Sequence, residues 1–436
     1  MKDYIVIIGG GLAGSEAAYQ IAKRGIKVKL YEMKPDKFSP AHSNENLAEI
    51  VCSNSFKSNQ ITNACGLLKE ELRRLDSLLI KCADRTAVPA GQALAVDREK
   101  FSKLVTSEIE KIDNIEVIRK EYDKKIEDDT ITIIATGPLT SEKMEKVISK
   151  LTGEDKLHFY DAAAPIVEKD SIDMSIGFYG DRYGKEGDSS YINLPFTKDE
   201  YDVFYNELVN AEVVNLHEFE KKEIFEGCMP IEVMAKRGKE TIRFGPLKPV
   251  GFIDPRTNTR PYAIVQLRQD NSQGTLYNLV GFQTNLKFGE QKRVFSLIPG
   301  LENAEFVKYG VMHRNTYINS PILLNSTFNL KKNKKIFFAG QITGVEGYVE
   351  SIASGLACGI NASKIFKNEE MIQFPEETVI GALSKYISTE NKKFQPMNAN
   401  FGILPTLEEK IKEKQERYKR QAKRSLENIT KILQID

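Results

Sequence analysis

Cys228 stands between Gly227 and a Met229-Pro230 pair in FEGCMPIEVMAKRG, residues 225–238, with Lys236 and Arg237 close behind. A thiol becomes a nucleophile as its thiolate, and neighbouring cations favour that form. A lone thiol of this kind can add to an electron-poor carbon, and Gly227 and Pro230 suit a tight, exposed turn. The stretch by itself favours a plainer reading, a buried structural cysteine at a domain seam. Cys52, in VCSNSF, is a second thiol in a polar setting. Cys65, Cys82 and Cys358 lie in apolar or small-residue helical contexts and read as core. The chain has five cysteines, an odd number with no C-x-x-C pair. A disulfide framework or a structural zinc site is therefore not expected, and no metal is assigned.

Such thiols need a scaffold, and the clearest unit is YIVIIGGGLAGSEAAYQIAKRGIKVKLYE, residues 4–32. Tyr4 to Ile8 read as a buried strand and Ala13 to Lys23 as a helix stopped at Gly25. Val28 to Tyr31 read as a second strand ending at Glu32. Gly9, Gly10, Gly11 and Gly14 supply the G-x-G-x-x-G turn, which lets a pyrophosphate approach the backbone at a helix N-terminus. Glu32 can accept ribose hydroxyls. Both strands and the acid at the right distance make this a dinucleotide fingerprint rather than a chance glycine run. A further strand ends in Ala135-Thr136-Gly137. Near the far end, KKIFFAGQITGVEGYVESIASGLACGINASKI repeats the strand–glycine–helix theme, with Gly340, Gln341, Gly347 and Tyr348 in its loop.

The expected fold is α/β: a Rossmann-like dinucleotide domain interrupted by an inserted α+β domain. Its first part covers 1–140, the insertion 141–310, and its second part 311–436, with a long polar, basic helix over 407–433. The 436 residues carry a net charge of +1, so any nucleic-acid surface must be local. Residues 236–260 hold seven Lys or Arg against Glu240 and Asp254, and 410–424 hold eight against two acids. Lys236, Arg237, Arg243, Lys248, Arg256 and Arg260 are the candidate phosphate contacts. The basic run near the C-terminus reads equally as a solvated helix face. Tyr262 or Phe252 could stack an extruded base. The N-terminal apolar run is too short for a signal peptide or a membrane span, so the protein is expected in the cytoplasm.

Long motifs running nearly end to end resemble the bacterial folate- and FAD-dependent RNA uracil-5-methyltransferases. They include GGGLAGSEAAYQ, EIVCSNSF, VPAGQALAVDR, YDAAAPIVE, FEGCMPIEVMAKRG, RFGPLKPVG, PYAIVQLRQDN, MHRNTYINSP, AGQITGVEGYVES and QPMNANFGILP. The chain departs from that family's usual pattern at Asn285 and Phe288 in QTNLKFGEQKRV, at PAHSNE and at ILPTL.

The resemblance implies a GidA-like FAD domain and three small molecules: FAD, methylenetetrahydrofolate, and NADH or NADPH as reductant. It makes Cys228 the nucleophile that adds to uracil C6, so that C5 can attack a flavin-carried methylene unit. It places Cys52 near the flavin, as general base or as protector of the methylene carrier. His313 and Arg314 become folate or flavin contacts. The implied substrate is the T-loop uridine of tRNA, with a uridine of 23S rRNA as the alternative. A flavin-binding, RNA-associated protein without methyl transfer and a small-molecule flavin oxidoreductase are the competing classes. The intact Cys52 and Cys228 argue against the former, and the basic insertion against the latter.

Overall fold

The computed structural model describes residues 2–153, 157–182, 191–214, 229–310, 312–391 and 394–434. Strand β1 (Tyr4–Ile8), helix α1 (Leu12–Lys23) and strand β2 (Lys27–Glu32) form the opening unit. Ile5, Val6, Ile7 and Ile8 are all buried, because β1 pairs in parallel with a neighbour on each side and is covered on both faces. Gly25 takes a left-handed φ of 80° just past α1, the stop that its residue type foretells. A small antiparallel sheet follows, from β3 (Ser55–Ser58), β4 (Ala87–Val88) and β5 (Ala93–Val96). Between and after these strands run α2 (Ala64–Arg74), α3 (Leu78–Arg85) and α4 (Arg98–Glu110). Asn63, Ser77 and Asp97 cap them by accepting hydrogen bonds from backbone N–H groups of the first turn. Then come β6 (Ile115–Arg119), β7 (Thr132–Ile134) and α5 (Glu142–Thr152).

The chain leaves this unit along β8 (Leu157–Ala162). The insertion contains β9 (Ile166–Glu168), β10 (Phe178–Tyr179), β11 (Tyr191–Phe196) and α6 (Lys198–Asn210). It continues with α7 (Ile231–Lys236), α8 (Lys239–Phe244), β12 (Ala263–Gln269), β13 (Leu276–Leu279), α9 (Phe288–Phe295) and β14 (Phe306–Lys308). Its six strands form one sheet in the order β10-β11-β12-β13-β9-β14, antiparallel throughout. One face buries Leu194, Phe196, Val265 and Leu267 against Phe204, Ile231 and Phe295 from the helices. The opposite face carries Asn193, Gln266, Arg268 and Asn278, and these polar residues are buried too. Arg268 and Asn278 face the dinucleotide domain, whereas Gln266 donates to Asn193, and Asn193 to the Phe178 and Gly180 carbonyls within the insertion.

The chain returns along β15 (Met312–Tyr317), paired antiparallel with β8 from Met312↔Ala162 to Tyr317↔Leu157. After α10 (Ser320–Leu323), strand β16 (Ile336–Phe338) completes a parallel sheet ordered β16-β7-β1-β2-β6. Helix α11 (Tyr348–Phe366) lies against α1 so closely that a Cβ at Gly355 would sit 2.2 Å from the Ala13 carbonyl oxygen. Helices α12 (Val379–Ser388) and α13 (Lys414–Ile432) close the domain.

Two expectations change. Met144 and Ile148 of α5 belong to the dinucleotide domain's core, so the change of core falls at the β8–β15 ribbon rather than at residue 141. The C-terminal helix starts at Lys414, not at 407, where Glu413 accepts from the Gln415 backbone N–H at 2.9 Å. Arg424 ties down the preceding segment by donating to the Thr406 carbonyl at 2.9 Å. This helix is amphipathic rather than polar all round, and it buries Ala422, Leu426, Ile429 and Ile432.

Glu71 joins three helices. Its carboxylate, fully buried, accepts from the Val379 and Ile380 N–H groups at 2.7 and 3.1 Å and from the Ser425 hydroxyl at 2.5 Å. Burial pushes its carboxyl up to about 7 despite these bonds. The folded state therefore binds a proton that the unfolded state has released, and stability falls as pH rises from the ordinary carboxyl range toward 7. The melting temperature should drop by a few degrees across that window, and Glu71→Gln should flatten this part of the profile in a calorimetric pH series.

Candidate active site

The glycine turn, the ends of the parallel strands and the β7 loop surround a cleft of about 1130 Å³. Gly9, Gly10, Gly11, Glu32, Gly137, Gly340, Gln341 and Tyr348 all line it. Gly14 and Gly347 are not among its lining residues. Gly14 permits close packing, since a Cβ there would meet the Gly9 carbonyl oxygen at 1.8 Å. Gly347 has φ 126°, and a Cβ on it would lie 2.2 Å from a Glu350 carboxylate oxygen. Gly11 and Gly137 differ from these, because a Cβ on either meets no atom within 4 Å. That open space, beside the free N–H groups of the first turn of α1, fits the pyrophosphate of a dinucleotide. Glu32 does more than face a ribose. Its two oxygens accept from the N–H groups of Gly10 and Lys34, each at 3.0 Å, and so fix the turn itself.

The cleft has a wall that sequence reasoning missed. Lys34 and Glu49 are buried there with their charges 3.2 Å apart, and Lys34 also donates to the Asn46 carbonyl at 2.6 Å. His42 joins the lining and shares a 2.5 Å hydrogen bond with the Ser39 hydroxyl. Nothing in the spacing of PAHSNENLAE marks these residues as cofactor wall.

Cys52 sits where the cleft ends. Val51 lines the cleft, whereas Cys52 and Ser53 line a separate small pocket with Arg268, Asn278 and Gln283. The Cys52 N–H donates to the Tyr348 hydroxyl at 2.9 Å, so one tyrosine touches both spaces. Arg98 donates to the Cys52 carbonyl at 2.8 Å and pairs with Asp270 through Nε at 2.9 and 3.1 Å. Arg268 donates to the Ser53 hydroxyl at 2.7 Å and to Asn54 Oδ1 at 2.9 Å. Burial lowers the pKa of the Lys308 ammonium, and Arg98 lowers it further. The other described thiols are buried, and burial pushes Cys65 and Cys82 up to about 11 and about 12 and Cys358 upward as well. They are core, as their contexts suggested.

Cys228 lies outside the described residues. The segment that follows it is anchored. The Ile231 N–H donates to the Gln283 carbonyl at 2.7 Å, and Glu232 accepts from the Thr284 hydroxyl and the Asn285 N–H at 2.9 and 2.8 Å. The backbone of His313 and Arg314 runs in β15 opposite Asp161 and Tyr160, and their side chains lie outside the description.

The basic candidates divide. Lys236, Arg237 and Arg260 are exposed, and Lys248 is half-buried. Arg256 is held by Asp254 at 2.9 Å, which engages its charge within the chain. Arg243 stacks on the Tyr262 ring at 4.2 Å and lies 5.3 Å from the Phe244 ring. Phe252, a stacking candidate, is only 6% exposed and packs on Phe178, so it cannot receive a base. Phe244, at 69% exposed, is the open aromatic on this surface. Among the described residues no helix is long and apolar enough to cross a membrane, and no group of three potential metal ligands occurs.

A glycine-fingerprint parallel sheet interrupted by an antiparallel insertion, with a thiol at the seam, defines a two-domain dinucleotide-binding protein of the α/β class. The family model described as glucose inhibited division protein A matches residues 4–370. A methylenetetrahydrofolate–tRNA-(uracil-5-)-methyltransferase TrmFO of Acetivibrio thermocellus is 61% identical over 98% of both chains. A protein of the same name from Bacillus pumilus is 60% identical over 99% of both. The chain belongs to this family, in its methylenetetrahydrofolate–tRNA-(uracil-5-)-methyltransferase branch. The solved structure of Aquifex aeolicus GidA shares the fold, with a TM-score of 0.69 at 17% identity over 98% of this chain and 73% of that one.

The glycines separate binding from folding. Gly11→Val should fold with the melting temperature of the ligand-free wild type but lose its dinucleotide, read by absorbance of the purified protein. Gly14→Ala, with a Cβ 1.8 Å from the Gly9 carbonyl oxygen, should lose stability.

Proposed function

We propose that this chain methylates C5 of a uridine in tRNA, the T-loop uridine, with FAD in the glycine cleft and methylenetetrahydrofolate as one-carbon donor. The observation that carries the reading is the full-length likeness to the two named relatives. The place of Cys52 on the wall between the cleft and a polar pocket supports it. Bound in the cleft, the flavin would supply one-carbon transfer and hydride chemistry, with NADH or NADPH as the source of electrons. Gly11 and Gly137 leave room for it, and Tyr348 and Gln341 border its place.

The remaining work belongs to side chains. Uracil C5 is a poor nucleophile until a thiolate adds at C6, and Cys228 is the thiol assigned to that addition. Lys236 and Arg237, eight and nine positions on, favour its thiolate form. Cys52, on the wall between cleft and pocket, is assigned the removal of the C5 proton rather than a protective role. Lys236, Arg237, Lys248 and Arg260 would meet phosphates, and Phe244 beside Arg243 would stack on a base. No name among the relatives described favours 23S rRNA.

Purified protein should transfer the one-carbon unit from labelled methylenetetrahydrofolate, not from S-adenosylmethionine, to unmodified tRNA. Label in stripped rRNA alone would replace the substrate assigned here. RNA carrying 5-fluorouracil should trap a covalent complex on a denaturing gel, because fluorine cannot leave C5 as a proton does. Cys228→Ala should abolish that band and Cys52→Ala should retain it; the reverse pattern exchanges the two roles. Charge removal at Lys236 and Arg260 should weaken RNA binding for all sequences and reduce the salt slope by roughly 1 per residue in a filter-binding titration.

A further inference from the structure

The small pocket beside Cys52 is built from donors. Arg268 and Asn278 are directly opposed across β12 and β13, so their side chains emerge from the same sheet face. Both line the pocket and both are buried, with 7% and 2% exposure. The Asn278 Nδ2 is buried without a hydrogen-bond partner. Leaving a buried amide donor unpaired destabilises the fold, so its presence calls for a ligand. Among the described residues the Arg268 guanidinium donates to the Ser53 hydroxyl and to Asn54 Oδ1 and meets the Tyr191 hydroxyl, while the nearby Asp270 carboxylate is paired with Arg98; burial holds the guanidinium below its usual value. Guanidinium offers donors only, and its neighbour here is an amide with a spare N–H. The pocket therefore calls for an acceptor.

Size and neighbours narrow the ligand. The space is small, with Ala164 and Val280 as its apolar lining, which suits one flat heterocycle. Cys52 borders it on one side. On another, Gln283 holds the N–H of Ile231, three residues after Cys228 in the sequence. Cys52 thus borders the pocket, and the chain at Ile231 is tied to one of its lining residues.

We propose that Arg268 and Asn278 form the subsite that holds the C4 carbonyl of the target uracil. This rests on the uridine-methylating reading above. When a thiolate forms its bond to C6, the C5–C6 π bond opens and the electron pair spreads over C5, C4 and O4. The negative charge passes from sulfur to an enolate. Two fixed donors at O4 stabilise that charge where it develops. Cytosine carries an amino group at C4 and would bring donors against donors, so the same pair excludes it.

The test has two arms. RNA with 4-thiouridine at the target position puts a photoreactive sulfur at C4. Irradiation of its complex with the wild-type protein should attach it within residues 266–283, mapped by mass spectrometry. Attachment confined to other segments overturns the subsite, whether or not the protein methylates RNA. In the second arm, Asn278→Leu should fold, keep its flavin and bind RNA within threefold of wild type. Its kcat should fall on the order of 10²-fold, the loss expected for one donor at a developing oxyanion. An unchanged kcat overturns the assignment. Should Asn278→Leu fail to fold, Asn278→Asp takes its place and should lose the same rate while retaining its melting temperature. A wild type that methylates no RNA defeats the functional reading alone, since the crosslink map still decides the subsite.

Discussion

The two domains meet through the polar face of a β-sheet, and the active site exists because that face is covered by protein. Strand β12 alternates in the ordinary way, with Val265 and Leu267 on one side and Gln266 and Arg268 on the other. In an isolated sheet the second set would be solvated. Here the Tyr191 hydroxyl donates to the Ala90 carbonyl, Asn54 donates to the Gln269 carbonyl, and Arg98 pairs with Asp270. Burying such groups is tolerated only when each finds a partner. The seam is thus specified by direction and distance rather than by apolar area. It holds Cys52 between cleft and pocket through Tyr348 on one side and Arg98 on the other.

Each side of that seam tolerates different chemistry. The cleft is lined by glycines whose missing side chains leave space at Gly11 and Gly137, and by a carboxylate, Glu32, already committed to the turn. It is made for a large, anionic, flat molecule. The pocket beyond Cys52 is small and rich in N–H groups. One residue of chain, from Val51 to Cys52, separates the two.

The parts of this arrangement that sequence could reveal are the local ones. The fingerprint from Tyr4 to Glu32 is legible because turn, helix start and acid all act within one supersecondary unit. Cys65, Cys82 and Cys358 are legible as core for the same reason, since helical spacing fixes their faces. The seam is not local. Arg98 lies far in sequence from Arg268 and Asn278, and the alternation of β12 is that of a strand with a water-facing side. Phe252 misled because its basic neighbours suggested exposure, whereas Phe178 and the sheet bury it. The C-terminal segment misled in the opposite sense. Its charges concealed the stripe of Ala422, Leu426 and Ile429 that docks it. Helix α5 was placed in the wrong domain because nothing in its composition tells which core Met144 and Ile148 will join.

The ribbon of β8 and β15 has a consequence for how such a molecule diversifies. The inserted domain departs and returns on adjacent antiparallel strands, so its two ends are neighbours in space. Lengthening, shortening or replacing what lies beyond the ribbon leaves the register of the parallel sheet untouched, because no strand of that sheet is supplied by the insertion. The nucleotide-binding half can then serve as a chassis on which different substrate modules are mounted. The interface they must match includes the short run from Val51 to Asn54 together with Ala90, Asp97 and Arg98.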